Sequence, residues 1–213
     1  PLPMATNVLS QWATAVNATG QIAGYNLDTA GTTNAFLYSL GEFVDLGRPT
    51  NALHVLATAL TDQGTLYGHA VFADSVTRAV RWDSGQWTVL GDFLNGGKTE
   101  VTGANRYGQV VGRSLTNGVW RAVLYTEGQA FDLNARQSSD SPWTLINAVA
   151  INDLSQIAAT GTRSNAPPQA LLLFPASEIG RRVFRPEGTL PLLPDITILK
   201  GSGGDDKKNS FHW

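Results

Sequence analysis

The feature that most constrains this chain is internal repetition. "AVNATGQIAG" (15–24) returns as "ALTDQGTLYG" (59–68) after 44 residues, as "GANRYGQVVG" (103–112) after another 44, and as "AINDLSQIAA" (150–159) after 47 more. A second block keeps step with it: "NAFLYSLGEFVDLG" (34–47), "RAVRWDSGQWTVLG" (78–91) and "RAVLYTEGQAFDLN" (121–134), with Gly41, Gly85 and Gly128 in one column. Self-similarity at a period of a few tens of residues means one supersecondary unit stacked on copies of itself.

Each unit reads as four short strands. The first turn carries Gly20, Gly64 or Gly108, preceded by turn formers such as Asn17, Asp62, Asn105 and Asp153, where φ must become positive. The last turn carries the second glycine column. Strands such as "AFLY", "AVRW" and "AVLY" are nearly continuous apolar runs, which predicts burial on both faces. Four-stranded units repeated at this spacing predict an all-β fold, a β-propeller whose blades cover each other's faces. A solenoid or a β-sandwich is the alternative, although a sandwich needs no internal repeat. The columns Ala35, Ala79, Ala122, Ala170 and Gly24, Gly68, Gly112 are read as points where neighbouring blades approach closely or taper.

Roughly 200 residues at 44 per unit give between four and five units, and five blades are predicted, with four as the other count. "RRVFRPEGTLPLLP" (181–194) aligns without a gap on residues 78–91 and competes with "QALLLFP" (169–175) for a place in the fourth unit. "MATNVLS" (4–10) is expected to complete the last blade, closing the ring through a composite sheet and protecting its edges. The propeller then spans residues 1–199 as one domain. Residues 200–213, "KGSGGDDKKNSFHW", form a flexible tail, read either as a linker or tag or as a docking peptide anchored by Phe211 and Trp213.

Composition agrees with sheet. Charged residues make up 15% against about 25% in an average domain, too few for long solvent-facing helices. Fifteen basic residues against 17 acidic ones offer no field for nucleic acid or an anionic membrane. There is no cysteine, hence no disulfide, thiolate metal site or thiol nucleophile. No apolar run long enough to insert into a bilayer occurs, and a start at Pro1 without a signal-type segment is read as a mature or excised chain.

Motifs for catalysis are wanting. No G-x-S-x-G elbow occurs, and His54, His69 and His212 lie in separate segments without i, i+4 pairing. No catalytic residue, metal ligand or cofactor is expected, and the chain is not read as an enzyme. "GDFLNGGKT" (91–99) imitates a phosphate loop but is one residue too long and precedes a strand, so it is read as an inter-blade loop. His69 shares a strand slot with Tyr25 and Arg113 and is read as surface or channel lining.

Tyr38, Trp82 and Tyr125 form a column and predict packing between blades. Trp12, Trp87, Trp120 and Trp143 do not repeat. Trp120 and Trp143 stand in or beside loops with Asn117 and Arg121, and apolar rings beside planar hydrogen-bonding groups suit a sugar or peptide face. Trp120, Trp143, Arg121 and Asn117 are therefore the candidate ligand-binding residues, against the alternative that each ring is a half-buried structural tryptophan.

The pattern A-x-N-x-x-G-Q-[IV]-x-G, a short loop, A-F-L-[YW], a glycine turn and D-L-G resembles the HAF repeat of extracellular bacterial repeat proteins, over residues 12 to at least 175. The chain departs from it where Asn34, Arg78, Arg121 and Gln169 replace the histidine of the motif. The resemblance implies a propeller-like fold and secretion or surface display, with a periplasmic site as the alternative, and it implies no catalytic residue. The resulting expectation is an extracellular or cell-surface binding or scaffold propeller that holds a glycan or protein partner through its loops. A purely structural repeat segment of a larger surface protein is the second expectation, and a hydrolase or lyase on a propeller scaffold the third.

Overall fold

The computed structural model describes residues 2–3, 7–91, 97–138, 140–164, 166–175 and 196–199. Among these residues sixteen strands follow one another: β1 (Val8–Val16), β2 (Ile22–Asp28), β3 (Thr33–Ser39), β4 (Glu42–Gly47), β5 (Ala52–Leu60), β6 (Leu66–Phe72), β7 (Thr77–Asp83) and β8 (Gln86–Val89), then β9 (Lys98–Ala104), β10 (Val110–Thr116), β11 (Val119–Thr126), β12 (Gln129–Asp132), β13 (Thr144–Ile151), β14 (Ile157–Thr162), β15 (Gln169–Pro175) and β16 (Ile196–Leu199). A 3-10 turn, Leu133–Arg136, follows β12. The strands pair antiparallel in consecutive fours, so the chain forms four meanders.

The turns explain the meanders. In the first unit Asn17 Oδ1 accepts the N–H groups of Thr19 and Gln21 while Gly20 takes φ +80°, and Asn105 and Asn152 wrap the third and fourth turns in the same way. Ser155 stands in the glycine column and keeps the positive φ. The outer turns Leu40-Gly41, Ser84-Gly85 and Glu127-Gly128 have two successive positive φ values, the type I′ geometry whose twist suits a tight hairpin.

Three apolar cores lie between consecutive units. Ala23, Ala35 and Leu37 pack on Val55, Ala57, Leu66 and Val80; Ala59, Tyr67 and Ala79 pack on Val101, Val110, Val123 and Tyr125; Val111, Ala122 and Leu124 pack on Leu145, Ala148, Ile157 and Leu173. Burying an apolar face on each side accounts for the continuous apolar strands. Of the aromatic column, Tyr125 is fully within the second core, Trp82 packs against the first, and Tyr38 stays half-exposed on the first unit. The non-repeating Trp87 is also an inter-unit residue, its Nε1 donating to Leu46 O of the unit before.

Polar hooks run alongside the cores. Thr14 Oγ1 donates to Ala57 O and Thr102 Oγ1 to Ala148 O. Asn17 Nδ2 donates to Thr61 O and Asn105 Nδ2 to Asn152 O, while Ala18 N and Arg106 N donate to the carboxylates of Asp62 and Asp153. Single parallel pairs, Thr33 with His54 and Thr77 with Lys98, join the first three units into one 12-stranded sheet; the fourth is a separate four-stranded sheet.

Two expectations are corrected. Among the described residues no composite blade forms: Val8 and Ser10 pair with Asp28 and Leu27 of their own unit, and β16 pairs with β15, so each described meander follows the chain order. Among the described residues the units number four rather than five, and no strand of the first pairs with the fourth, leaving the sheet open instead of a closed ring. Where Thr14 and Thr102 donate onward the fourth unit has Val149, 45% exposed, and Asn152 Nδ2 donates only to its own Gln156. "QALLLFP" is β15, whereas 181–194 and the tail 200–213 lie outside the described residues, as do residues 92–96 of the phosphate-loop imitation.

The glycine column has a different cause from the one expected. A Cβ on Gly24, Gly68 or Gly112 would lie 2.0, 2.1 or 2.0 Å from the carbonyl oxygen of Trp12, Leu56 or Glu100. The obstacle is the unit's own inner strand, not a neighbouring blade. In each unit a bulge lies at or beside the pairing that this glycine makes with the inner strand. The fourth unit carries Ala159 there, beside a second bulge between Leu145 and Asn147.

Gly68→Ala is expected to cost more than about 2 kcal/mol in urea denaturation, because the methyl meets backbone. Gly20→Ala, with φ +80° and open space, should cost only about 1 kcal/mol. Asn105→Ala should cost about 1 kcal/mol more than Asn152→Ala, since both wrap a turn but only Asn105 hooks a following unit. Equal losses in that pair would remove the inter-unit role.

Candidate functional site

The repeat changes between the third and fourth units, where the spacing lengthens to 47 residues. At the first junction Thr33 Oγ1 accepts Val55 N–H and donates to Val55 O. At the last junction the equivalent position is Trp120, and Asn134 makes the reciprocal pair instead: its Nδ2 donates to Leu145 O and its Oδ1 accepts Leu145 N–H. Asn134 is placed by Asp132, whose Oδ1 accepts both its N–H and its Nδ2 at the start of the 3-10 turn. The other oxygen of Asp132 takes Arg121 Nη1 at 2.8 Å.

This rearrangement opens a cleft of about 330 Å³, lined by Arg121, Asn134, Gln137, Ser138, Ser141, Trp143 and Thr144. Gln137 Nε2 donates to Asn134 Oδ1 and Trp143 O, and Ser141 Oγ donates to Gln137 Oε1 at 2.6 Å. The wall is thus a chain of carboxamides and hydroxyls held in place by one another, with a guanidinium at one end. Such a wall can donate and accept at several points without carrying a net charge, since Arg121 is offset by Asp132.

Two of the four expected site residues meet here. Arg121 lines the cleft; so does Trp143, but it is 7% exposed and belongs to the third core, with the Arg163 guanidinium 5.5 Å from its ring centre. Trp120 lies elsewhere, under the guanidinium of Arg113 at 4.2 Å and the ammonium of Lys98 at 5.5 Å. Asn117 forms the exposed tip of the β10–β11 hairpin with Gly118, φ 51° and 76°, which is a turn role. Asn134, Gln137 and Ser141 were missed; the longer spacing of the fourth unit was the one signal that marked them. A second cavity between the last two units, beside Gln109 and Ser155, has a volume of about 10 Å³, room for one water at most.

Asn17, which with Ala18 and Thr19 spells an N-glycosylation acceptor, is 9% exposed, with Nδ2 donating to Gln21 Oε1 and Thr61 O, so its amide is part of the hook. No group of three or more metal-ligating side chains occurs among the described residues, and none of their helices is long and apolar enough to cross a membrane.

The charged residues near Trp120 form a cluster of their own. Burial pushes the Glu100 carboxyl up, but hydrogen bonds from Lys98 and Arg113 outweigh it and hold the group below its usual range. His69 is held at about 4 by burial, with Lys98 acting in the same direction and Glu100 opposing it. Its Nδ1 accepts Val101 N–H at 3.3 Å, a bond available only to the neutral ring.

The unfolded chain therefore binds a proton at His69 near pH 6.5 that the folded chain refuses until about pH 4. The neutral ring's contribution is complete above 6.5 and is lost as pH falls towards 4, by roughly 3 kcal/mol at most. Urea midpoints for wild type and His69→Gln across pH 4 to 7 check this: the acid loss should be smaller in the variant. Parallel curves would refute it.

No protein-family model matches the chain, and no curated protein matches it. Among solved structures it is similar to a mutant of the Aleuria aurantia lectin in complex with alpha-methyl-L-fucoside, at 12% identity and a TM-score of 0.27, over 76% of this chain and 72% of that one. A likeness at that level leaves the assignment to the chain's own geometry.

Proposed function

We propose that the chain is a binding module whose ligand is a glycan seated in the cleft between the third and fourth units. The observation that carries this reading is the cleft itself, an open volume of about 330 Å³ walled by pre-positioned amide, hydroxyl and guanidinium groups with one indole in its base. Sugars present alternating hydroxyls to such a wall. In the same reading the four meanders are blades of an open propeller-like arc of the HAF-repeat kind, working outside the cell. The fixed register of the turns and the resemblance of the repeated motif support it.

A structural segment is the second reading, favoured by the ends of the arc. Val149, Leu154 and Leu172 are 45%, 60% and 42% exposed on the last unit, and Leu9 and Val16 are 60% and 69% exposed on the first. Such faces suit stacking against further repeats.

Glycan-array screening followed by calorimetry tests the first reading. Arg121→Ala, Gln137→Ala and Ser141→Ala are each expected to weaken the best ligand roughly tenfold, the worth of one hydrogen bond to a buried partner. Trp143→Ala is unsuitable because the ring is core. A folded protein that binds no glycan on the array refutes the proposal.

A further inference from the structure

We propose that the inner corners of the four units form one recognition strip for an extended polypeptide segment of mixed sequence. The strip is separate from the cleft. Strand β5 crosses the inter-unit face of the first meander obliquely: it meets β3 at Thr33 and Val55, and β1 at Thr14 and Ala57. The crossing leaves the cross-strand pair Trp12–Tyr25 to one side, its rings stacked at 5.2 Å and Trp12 43% exposed. The same crossing at the last junction runs from Asn134 and Leu145 to Thr102 and Ala148, and leaves the pair Glu100–Arg113 to one side. Leu56–His69 and Asn147–Thr160 are the equivalent direct register pairs in the other two units.

These corners are where the units disagree. The neighbouring positions Ala57, Val101 and Ala148 on the inner strand and Ala159 on the second strand are core, and Gly24, Gly68 and Gly112 on the second strand are held small by the inner strand's carbonyls. The corner pairs lie outside the three apolar cores and are chemically unlike. The first is an aromatic platform. The second joins Leu56 to an uncharged imidazole. In the third two cations, Arg113 and Lys98, face the single carboxylate of Glu100 over the Trp120 ring. The fourth is an amide and a hydroxyl, and Asn147 Oδ1 is a buried acceptor without a partner.

Stacked sheets lie about 10 Å apart, so the four corners span about 30 Å, or roughly nine residues of extended chain, with about every third residue meeting a corner. A glycan built from one repeating sugar would be met by four like subsites. Four unlike subsites instead match a sequence of side chains, with an aromatic or aliphatic residue at Trp12–Tyr25 and an acidic one at Arg113 and Lys98, where positive charge is in excess.

A positional-scanning array of nine-residue peptides, probed with the full chain, tests the strip. The expected consensus has an apolar residue and an acidic residue about six positions apart, because two unit spacings separate their corners. Trp12→Ala should remove the apolar preference and weaken the best peptide at least tenfold, and Lys98→Ala and Arg113→Gln should each remove the acidic preference, in proteins whose circular dichroism is unchanged. Leu40→Asn, at an exposed turn, should bind as wild type does. No peptide binding by the folded wild type, binding unchanged in Trp12→Ala, or capture of linear glycans that Trp12→Ala abolishes would each overturn the proposal.

Discussion

The register of the first meander on the second, and of the third on the fourth, is held by a side chain that works in two directions. Asn17 and Asn105 close their own turn with Oδ1 and reach the following turn's carbonyl with Nδ2. Local and long-range order are thereby coupled: a turn that is not wrapped cannot present its amide onward, and an amide with no carbonyl ahead of it has only its own glutamine. Apolar area supplies most of the free energy between units, but it is non-directional. The hooks set the register at which the areas meet, and they are polar groups that would be costly to leave unmade once the surrounding core closes.

Directionality has a consequence at both ends. The threonine and asparagine hooks run from the first unit to the second and from the third to the fourth, and the last unit makes none onward. The last unit's sequence matches that position: Val149 replaces the donating threonine, and Asn152 turns inward to Gln156. The same logic explains the cleft. When Trp120 occupies the threonine position, the backbone of Leu145 still needs its pair of hydrogen bonds, and Asn134 supplies them from a 3-10 turn. The detour through that turn leaves room beside it, and the room is polar because the detour is built from amides and hydroxyls.

Much of the fold was legible in the chain. The 44-residue step, the glycines after Asn17 and Asn105 and the second glycine column are local signals, each tied to a φ value that the backbone has to adopt there. The site was legible only in part. Arg121 and Trp143 could be named from their company in sequence, but Trp143 is core, Trp120 sits under Arg113 and Asn117 is a turn tip. Gln137 and Ser141 have no motif; their positions follow from hydrogen bonds made around one another.

By itself the amino-acid sequence determined the strands, the turns and the number of residues per unit, because hairpin chemistry and alternating burial act over a few residues. Tertiary structure alone decided whether the ring closes, what the recurring glycines avoid, and which polar groups share a cleft. Those outcomes depend on distances between residues 44 to 47 apart in the chain, and only the stacking of whole units sets such distances.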